Sequence, residues 1–434
     1  MARAFASILL GGVLGLGGAL MAQRLGHIWP VGPAQAATAS ESIALFGEVL
    51  DKVNTRYVEP PDNDKLVKSA INSMLASLDP HSNYFDPKTL KDFQQSMKGE
   101  EFGGLGLEVM QEGDHVRVVS PIDETPAARA GMLSGDLITG IDDFPVKGMS
   151  LKDAVDKMRG PAQTPVRLTV LRGSGGDERQ VTIVREIIHV RSVRFHREGD
   201  DVGYIRITQF NQETYDGLKG AFDKFKADDP QNKIKGYVLD LRNNPGGLLN
   251  QSIEVVNAFV ERGDIVSTRG RYPEQNQVFS ARAGLDLSRK RPVVVLINGG
   301  SASASEIVSG AMQDLKRATL IGTRSFGKGS VQTILTLGEN GAIKLTTARY
   351  YTPSGRSIQA KGIEPDFKVL EDVPDDLKGK VDTKGEASLT GHLKNGDDEK
   401  TGSEAYVPPD AAKDNQLIAA LALLRKGDLP ATPN

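Results

Sequence analysis

The sequence predicts an α/β multidomain protein: a core built on a two-sided sheet, a smaller β-rich module inserted ahead of it, and helical segments at both ends. Three observations carry this. From about 190 to 368, the apolar runs Gly203–Ile207, Gly236–Leu241 and Pro292–Ile297 alternate with helical stretches at 211–227, 247–261 and 302–316. That alternation gives a mostly parallel sheet covered on both faces. Residues 100–188 instead hold short strand-like runs (Val116–Val119, Leu137–Ile141, Val166–Val170) separated by two short helical stretches, 126–131 and 151–158. From Ser40 to about Lys98, apolar residues recur at three- and four-residue spacing: Ile43, Phe46, Val49, Leu50 and Val53, then Val67, Ala70, Ile71, Met74 and Leu75.

Length and composition narrow the function. A chain of 434 residues holds several domains at about 150 residues each. With 39% hydrophobic and 25% charged residues it has the composition of a soluble globular protein, not a multi-span membrane protein. A net charge of −3 provides no basic field for nucleic acid. The absence of cysteine excludes disulfides, thiol catalysis, iron–sulfur clusters and cysteine-ligated zinc. None of the six histidines pairs at zincin spacing, so neither metal nor cofactor is expected. The chemistry falls to oxygen and amine groups.

In chain order, residues 1–36 read as a signal peptide or a membrane anchor. Ala4–Ala22 is a charge-free run of 19 residues after Arg3, and Ala34-Gln35-Ala36 supplies an A-x-A cleavage site. The run is also near bilayer-spanning length, so an uncleaved inner-membrane anchor is the alternative. Its five glycines argue against a buried soluble helix. Residues 40–98 form a helical region broken by Leu78-Asp79-Pro80-His81-Ser82, where His81 reads as a locally bonded turn residue. The β-rich module spans 100–188 and the α/β core 190–368. Residues 369–412, poor in apolar side chains, read as a flexible linker. Residues 413–434 form a helical tail whose stripe Leu417, Ile418, Leu421 and Leu424 suits docking or partner contact.

Three glycine-rich segments follow strands of the core. Gly322–Gly329 nearly spells a P-loop, but Gly329 stands where Ser or Thr must bind Mg²⁺, and the next residues, 331–337, read as a strand instead of a phosphate-binding helix. With nucleotide binding rejected, Lys328 is either a solvated turn lysine or a lysine whose pKa is lowered by burial beside an apolar strand. Asn298–Glu306 is a strand–turn–helix that presents a serine at a helix N-terminus, although Ser303-x-x-Glu306 is also a capping box. Leu241–Leu248 sits at a strand's carboxyl end, where open α/β sheets place ligand crevices; it is either a plain turn or a source of glycine N–H groups for an oxyanion hole.

The strings LDLRNNPGG, GSASASEI and SFGKGSVQ, in this order, with LDPHSNYF before them and GIEPD after, resemble those of the carboxyl-terminal processing proteases, a serine peptidase family with a Ser/Lys dyad. The resemblance runs from about Ser40 to Phe367. It implies a mixed-sheet, crotonase-like protease core and a PDZ domain at 100–188. Carried over residue by residue, it makes Ser303 the nucleophile and Lys328, 25 positions later, the general base. Gln332 matches the glutamine that orients the lysine. The amides of Ala304 and of Gly246 or Gly247 match the oxyanion hole. Within the PDZ-like module, Gly104, Leu105, Gly106 and Leu107 match the loop that captures a peptide's C-terminal carboxylate, with an apolar C-terminal residue fitting beside the two leucines.

The resemblance implies an exported serine endopeptidase acting on protein substrates with exposed C-termini, dependent on oligomerisation or on an activating adaptor protein. Apolar helices at 43–53 and 414–424 suit a homo-oligomer. The charge-free leader favours a bacterial periplasm. A non-catalytic periplasmic peptide-binding scaffold is the alternative, and an intact Ser303, Lys328 and Gln332 argues against it. An acyl-CoA enzyme of crotonase type is disfavoured by the PDZ-like module and the leader.

Overall fold

The computed structural model describes residues 33–98, 102–112, 114–121, 125–132, 136–149, 151–172, 177–188, 192–375, 377 and 383–427. The Ala4–Ala22 run lies outside the described residues. Among those described, no helix is long and apolar enough to cross a membrane. The chain divides into two compact units, Met1–Ile71 and Asn72–Asn434.

The first unit carries helix α1 (Pro33–Arg56) and most of α2 (Asn63–Ala76). The apolar positions expected on α1 are there, but Ile43, Leu45, Phe46 and Val49 are exposed.

The second unit begins with a turn whose Asp79 carboxylate accepts the N–H groups of His81 (2.8 Å) and Ser82 (2.9 Å), followed by β1 (Asn83–Phe85) and α3 (Pro87–Lys98). The β-rich module follows. Its elements are β2 (Phe102–Gly104), β3 (Leu107–Glu112), β4 (His115–Pro121), α4 (Pro126–Arg129), β5 (Leu137–Ile141), β6 (Phe144–Pro145), α5 (Leu151–Met158), β7 (Pro165–Arg172), β8 (Asp177–Val184) and β9 (Glu186–Ile188). Strands β3-β4-β5-β7-β8 form an antiparallel sheet in that order, with β6 against β5, and β2 pairs separately with β9. Alternate residues of β4, β5 and β7 (Val116 and Val118, Ile138, Val166, Leu168 and Val170) bury against Ala127, Ala154 and Met158 of the two helices, as a one-sided sheet requires.

The core holds β10 (Val193–Glu198), β11 (Val202–Ile207), α6 (Thr214–Asp228), β12 (Gly236–Asp240), α7 (Leu249–Asn257), β13 (Asp264–Gly270), β14 (Gln277–Ser280), β15 (Val293–Ile297), α8 (Ala304–Asp314), β16 (Thr319–Gly322), β17 (Ser330–Thr336), β18 (Ala342–Tyr351), β19 (Phe367–Lys368) and finally α9 (Asn415–Lys426). The main sheet runs β10-β11-β12-β15-β16-β19, parallel except for the antiparallel edge strand β10. A second, antiparallel sheet joins β1, β18, β13 and β14, with β17 on β18. The architecture is therefore mixed, as the resemblance implied, where strand patterning alone read mostly parallel.

Two-sided burial explains the continuous apolar runs. Val293, Val295 and Ile297 pack with Leu239 and Leu241 against α6, α7 and α8. Val294 and Leu296 face the other way, with Val238 and Ile321, and meet Leu417, Ala419 and Ala420 of α9. The tail helix thus docks through Leu417, Leu421 and Leu424 of its apolar stripe, while Ile418 stays exposed. Of the two uses expected for it, docking or partner contact, these residues serve docking. Its seat is electrostatic as well: the buried Arg242 guanidinium lies 2.7 Å from both Asp240 Oδ2 and Asp414 Oδ2, and Asp414 Oδ1 caps the helix by accepting Leu417 N–H.

The described residues of the 369–412 segment differ from the expected flexible linker. Thr383 donates to Gly299 O (2.9 Å), Glu386 N–H to Phe326 O (3.0 Å), Lys400 N–H to Ala360 O (2.8 Å), and Glu404 O accepts both Gly299 N–H and the Thr323 hydroxyl. Low apolar content misleads here because the segment anchors itself as a strap through backbone and carboxylate hydrogen bonds, not side-chain burial. His81 also departs from its local reading. Its backbone is bonded within the turn, but its ring reaches Glu386 of the strap, with Nε2 2.9 Å from Oε2.

Candidate active site

The carboxyl ends of β12 and β15 are zipped together by polar groups. Asn298 Oδ1 accepts Asn243 N–H, Asn298 Nδ2 donates to Asn243 Oδ1, and Ser301 donates to Leu241 O (2.8 Å). Asn244 O accepts Ala302 N–H and the Ser305 hydroxyl, each at 2.9 Å. The chain then turns into α8 through Ser303, whose φ of 55° lies in the left-handed region. A non-glycine residue held there stores strain and exposes its side chain at the tip of a sharp turn.

Gly246 packs directly beneath that turn. An added Cβ would lie 2.7 Å from both Ala302 O and Ser303 Cβ, which explains why no side chain fits. The two glycines differ in their amides. Gly246 N–H donates to Asn244 Oδ1 (2.9 Å) and is therefore occupied, which corrects its assignment as an oxyanion donor. Among the described residues, the N–H groups of Gly247 and Ala304 have no acceptor.

Lys328 sits in the loop between β16 and β17; a strand follows it, as the rejection of the P-loop required. The loop is fixed by Glu306, a wholly buried residue in the first turn of α8. One carboxylate oxygen accepts the Ser325 hydroxyl (2.5 Å) and Gly327 N–H (2.7 Å). The other accepts the N–H groups of Ser303 (2.8 Å) and Lys328 (2.9 Å). A single side chain thus binds the backbones of both the serine and the lysine. Burial pushes the Glu306 carboxyl up to about 7, opposed by those four donors. Tyr350 of β18 donates to Lys328 O, which ties the lysine loop to the second sheet.

Burial lowers the Lys328 ammonium to about 8, helped by Lys344 and opposed by Glu386, Glu306 and Asp79. Lys328 Nζ makes no hydrogen bond to Ser303 Oγ among the described residues. Gln332 makes no hydrogen bond to the lysine among the described residues either. Its amide donates to Ser330 Oγ (2.9 Å) and Thr346 Oγ1 (3.2 Å), and Thr346 in turn donates to Asp79 (3.0 Å). In this arrangement Gln332 belongs to a polar chain with Ser330, Thr346 and Asp79, and the orienting role that the resemblance implies is not carried by a direct hydrogen bond.

The profile of peptidase family S41 matches residues 201–369, and that of the PDZ domain matches 117–172. A carboxy-terminal-processing protease of Bartonella bacilliformis is 53% identical over 387 residues, covering 89% of this chain and 88% of the relative. The chain belongs to the S41 carboxy-terminal-processing proteases. It is a serine peptidase whose α/β core carries an inserted PDZ domain. The photosystem II D1 C-terminal processing protease is similar in structure, with 32% identity, a TM-score of 0.52, and coverage of 77% of this chain and 95% of that one. A CtpA-like serine protease of Staphylococcus aureus (strain COL) is 37% identical over 76% of this chain and 66% of its own.

In the PDZ domain of this protease, Gly104 ends β2, Leu107 opens β3, and Leu105 and Gly106 link them with N–H groups that have no acceptor among the described residues. Gly106 has a φ of 76°, and a Cβ there would overlap the Thr125 side chain. The Leu105 side chain is buried in the domain core, so it does not line an open pocket as expected. Sequence reasoning saw Glu306 only as a helix cap and missed Asp79, Lys344, Tyr350, Gln359 and Glu386. The LDPHSNYF string was the available signal for Asp79; nothing local marked Glu386.

Proposed function

We propose that this protease cleaves exported proteins by an acyl-enzyme mechanism, with Ser303 as nucleophile and neutral Lys328 as general base. The observation that carries this is the Glu306 carboxylate bound to the N–H groups of both residues, which holds the strained serine turn and the lysine loop at one point. As Ser303 Oγ attacks the scissile carbonyl carbon, its proton passes to Lys328 Nζ, and the C=O electrons move to oxygen, stabilised by the free N–H groups of Gly247 and Ala304. Collapse of the tetrahedral intermediate breaks the C–N bond, and Lys328 returns the proton to the departing amine. Water, deprotonated by the same lysine, then attacks the ester carbonyl; collapse breaks the C–Oγ bond, releases the carboxylic acid, and the lysine returns the proton to Ser303 Oγ. A lysine near 8 suits this task, since an ordinary one at about 10.4 is almost wholly protonated at neutral pH.

The PDZ loop 104–107 is the matching site for a substrate's C-terminal carboxylate, supported by the unpaired Leu105 and Gly106 amides and by the free edge of β3. The charge-free leader supports a periplasmic location, as a cleaved signal or an inner-membrane anchor, to be read by fractionation and N-terminal sequencing. The exposed stripe of α1 supports a homo-oligomer, and an adaptor would act on that assembled form. The direct test is cleavage of an unstructured protein with an apolar C-terminus across pH. Wild-type activity should rise through about pH 8, and Ser303→Ala and Lys328→Ala should each abolish it. Variants that cut as well as wild type would refute the assignment.

A further inference from the structure

The segment matched to the peptidase family ends at residue 369, yet the surroundings of Lys328 do not. Gly329 N–H, adjacent to the lysine, donates to Gln359 Oε1 (3.0 Å), and Gln359 Nε2 donates to Glu386 Oε1 (2.9 Å). Gln359 is wedged in place, because a Cβ on Gly329 would fall 2.3 Å from its backbone nitrogen. Glu386 is wholly buried on the strap, 18 residues after the end of β19 at Lys368 but directly beside the lysine loop, and its own N–H holds Phe326 O. Both of its oxygens face His81 Nε2, at 3.0 and 2.9 Å. His81 comes from the turn that precedes the PDZ domain. Two segments on either side of the peptidase core therefore meet behind its general base.

We propose that Glu386, clamped by His81, is a positioning residue for Lys328: through Gln359 it fixes the backbone of the lysine loop, and its charge faces the lysine from behind. The proposal rests on Lys328 acting as the base. A buried carboxylate without a partner is costly, so the histidine both seats the glutamate and moderates its field. Other charges bear on the same groups. Lys344 of β18, Glu306 of α8 and Asp79 of the turn face Lys328, while His392 and Tyr350 also feel Glu386. Lys344 and Asp79 also oppose one another at the lysine, but Glu386 and His81 are the pair joined to the lysine loop through Gln359.

The opposition between Glu386 and His81 is the test. kcat/KM is measured from pH 6 to 10 for the full chain and for Glu386→Gln, His81→Asn and the double variant. Glu386→Gln keeps the shape and removes a charge that favours the protonated lysine, so the midpoint of the rising limb should fall by about half a pH unit or more. His81→Asn leaves the carboxylate less compensated, so the midpoint should rise. The double variant should match Glu386→Gln, because the histidine acts through the glutamate. A purely structural role would lower activity at all pH values with the midpoint fixed, and would overturn the proposal. So would midpoints that move in the same direction. If Glu386→Gln does not fold, His81→Asn, at the more accessible end of the pair, decides by the upward shift alone. A wild-type profile with no rising limb, or active Lys328→Ala, would instead refute the base assignment and remove the proposal with it.

Discussion

Glu306→Gln is the perturbation whose size can be worked most closely. The carboxylate receives four donors, two on each oxygen. An amide keeps one oxygen, so its orientation decides the cost. If nitrogen faces Ser303 and Lys328, two N–H groups meet an N–H donor, and two charge-assisted bonds of about 1.5–3 kcal/mol each are lost. The opposite orientation is better. The Ser325 hydroxyl, which already accepts Ile363 N–H (2.7 Å), can rotate to accept from the new amide, leaving only Gly327 N–H orphaned. The expected loss is then one charged bond plus weakening of the rest, about 2–3 kcal/mol. Expressed in transition-state positioning, that is roughly a 30- to 150-fold fall in kcat/KM.

The assay is kcat/KM at pH 9, where wild-type Lys328 is mainly neutral, with unfolding free energy measured in parallel. Ser325→Ala should cost less alone, and its effect should be non-additive with Glu306→Gln, because the double variant removes the rotating hydroxyl that rescues the amide. The substitution also removes a negative charge facing Lys328, so the rising limb should shift to lower pH. Kinetics and stability both within twofold of wild type would refute the four-donor arrangement.

Gly246→Ala places a Cβ 2.7 Å from Ser303 Cβ at a φ of 100°; about 1–2 kcal/mol of backbone strain and displacement of the serine should cut kcat/KM by about tenfold to a hundredfold, whereas Gly220→Ala, facing open space on α6, should leave activity unchanged and raise stability. Asp414→Ala leaves the buried Arg242 with Asp240 as its close carboxylate partner and uncaps α9, which should cost about 3–5 kcal/mol in denaturant unfolding and expose the tail to limited proteolysis. Glu371, buried beside that cluster, is pushed up to about 7 from 4.5, chiefly by burial. A raised carboxyl contributes stability that is complete below its unfolded pKa and lost as pH climbs through about 7, so Glu371→Gln should flatten the stability profile across that window.

Fold and site were legible to different depths, for reasons that individual residues display. The runs 203–207, 236–241 and 292–297 were readable because two-sided burial demands unbroken apolar strands, and Val293 through Ile297 are all buried. The antiparallel second sheet was not, because β13, β14, β17 and β18 have one solvated face and carry Thr, Ser, Arg and Lys through it, as in Ala342–Tyr351. Within LDLRNNPGG the sequence could not separate two jobs. Asp240 and Arg242 turn to the α9 side and build its ion cluster, while Asn244, Gly246 and Gly247 build the serine turn. Strand alternation would keep Asp240, Arg242 and Asn244 on one face; the strand ends at Asp240, and the turn through Asn243, with its φ of 55°, divides them, and that division needs coordinates.

The strap gives the more general reason. A segment judged by apolar content alone is scored for what it can bury, and 369–412 scores low. What holds it is a set of polar groups whose partners lie far away in sequence: Thr383 on Gly299, Glu404 on Thr323, Glu386 on His81. Each of those partners lies in or beside a string already singled out for chemistry, so the strap's anchors and the site's supports are the same hydrogen bonds. It follows that loosening the strap should not behave like trimming a linker. Ser403→Ala removes a hydroxyl that donates to Arg324 O in the lysine loop, at a position remote from Ser303 in sequence. It should lower kcat/KM severalfold while leaving peptide binding at the 104–107 carboxylate loop of the intact enzyme, read by fluorescence titration, unchanged. Equal losses in binding and turnover would mean that the strap supports the whole unit, not the lysine loop.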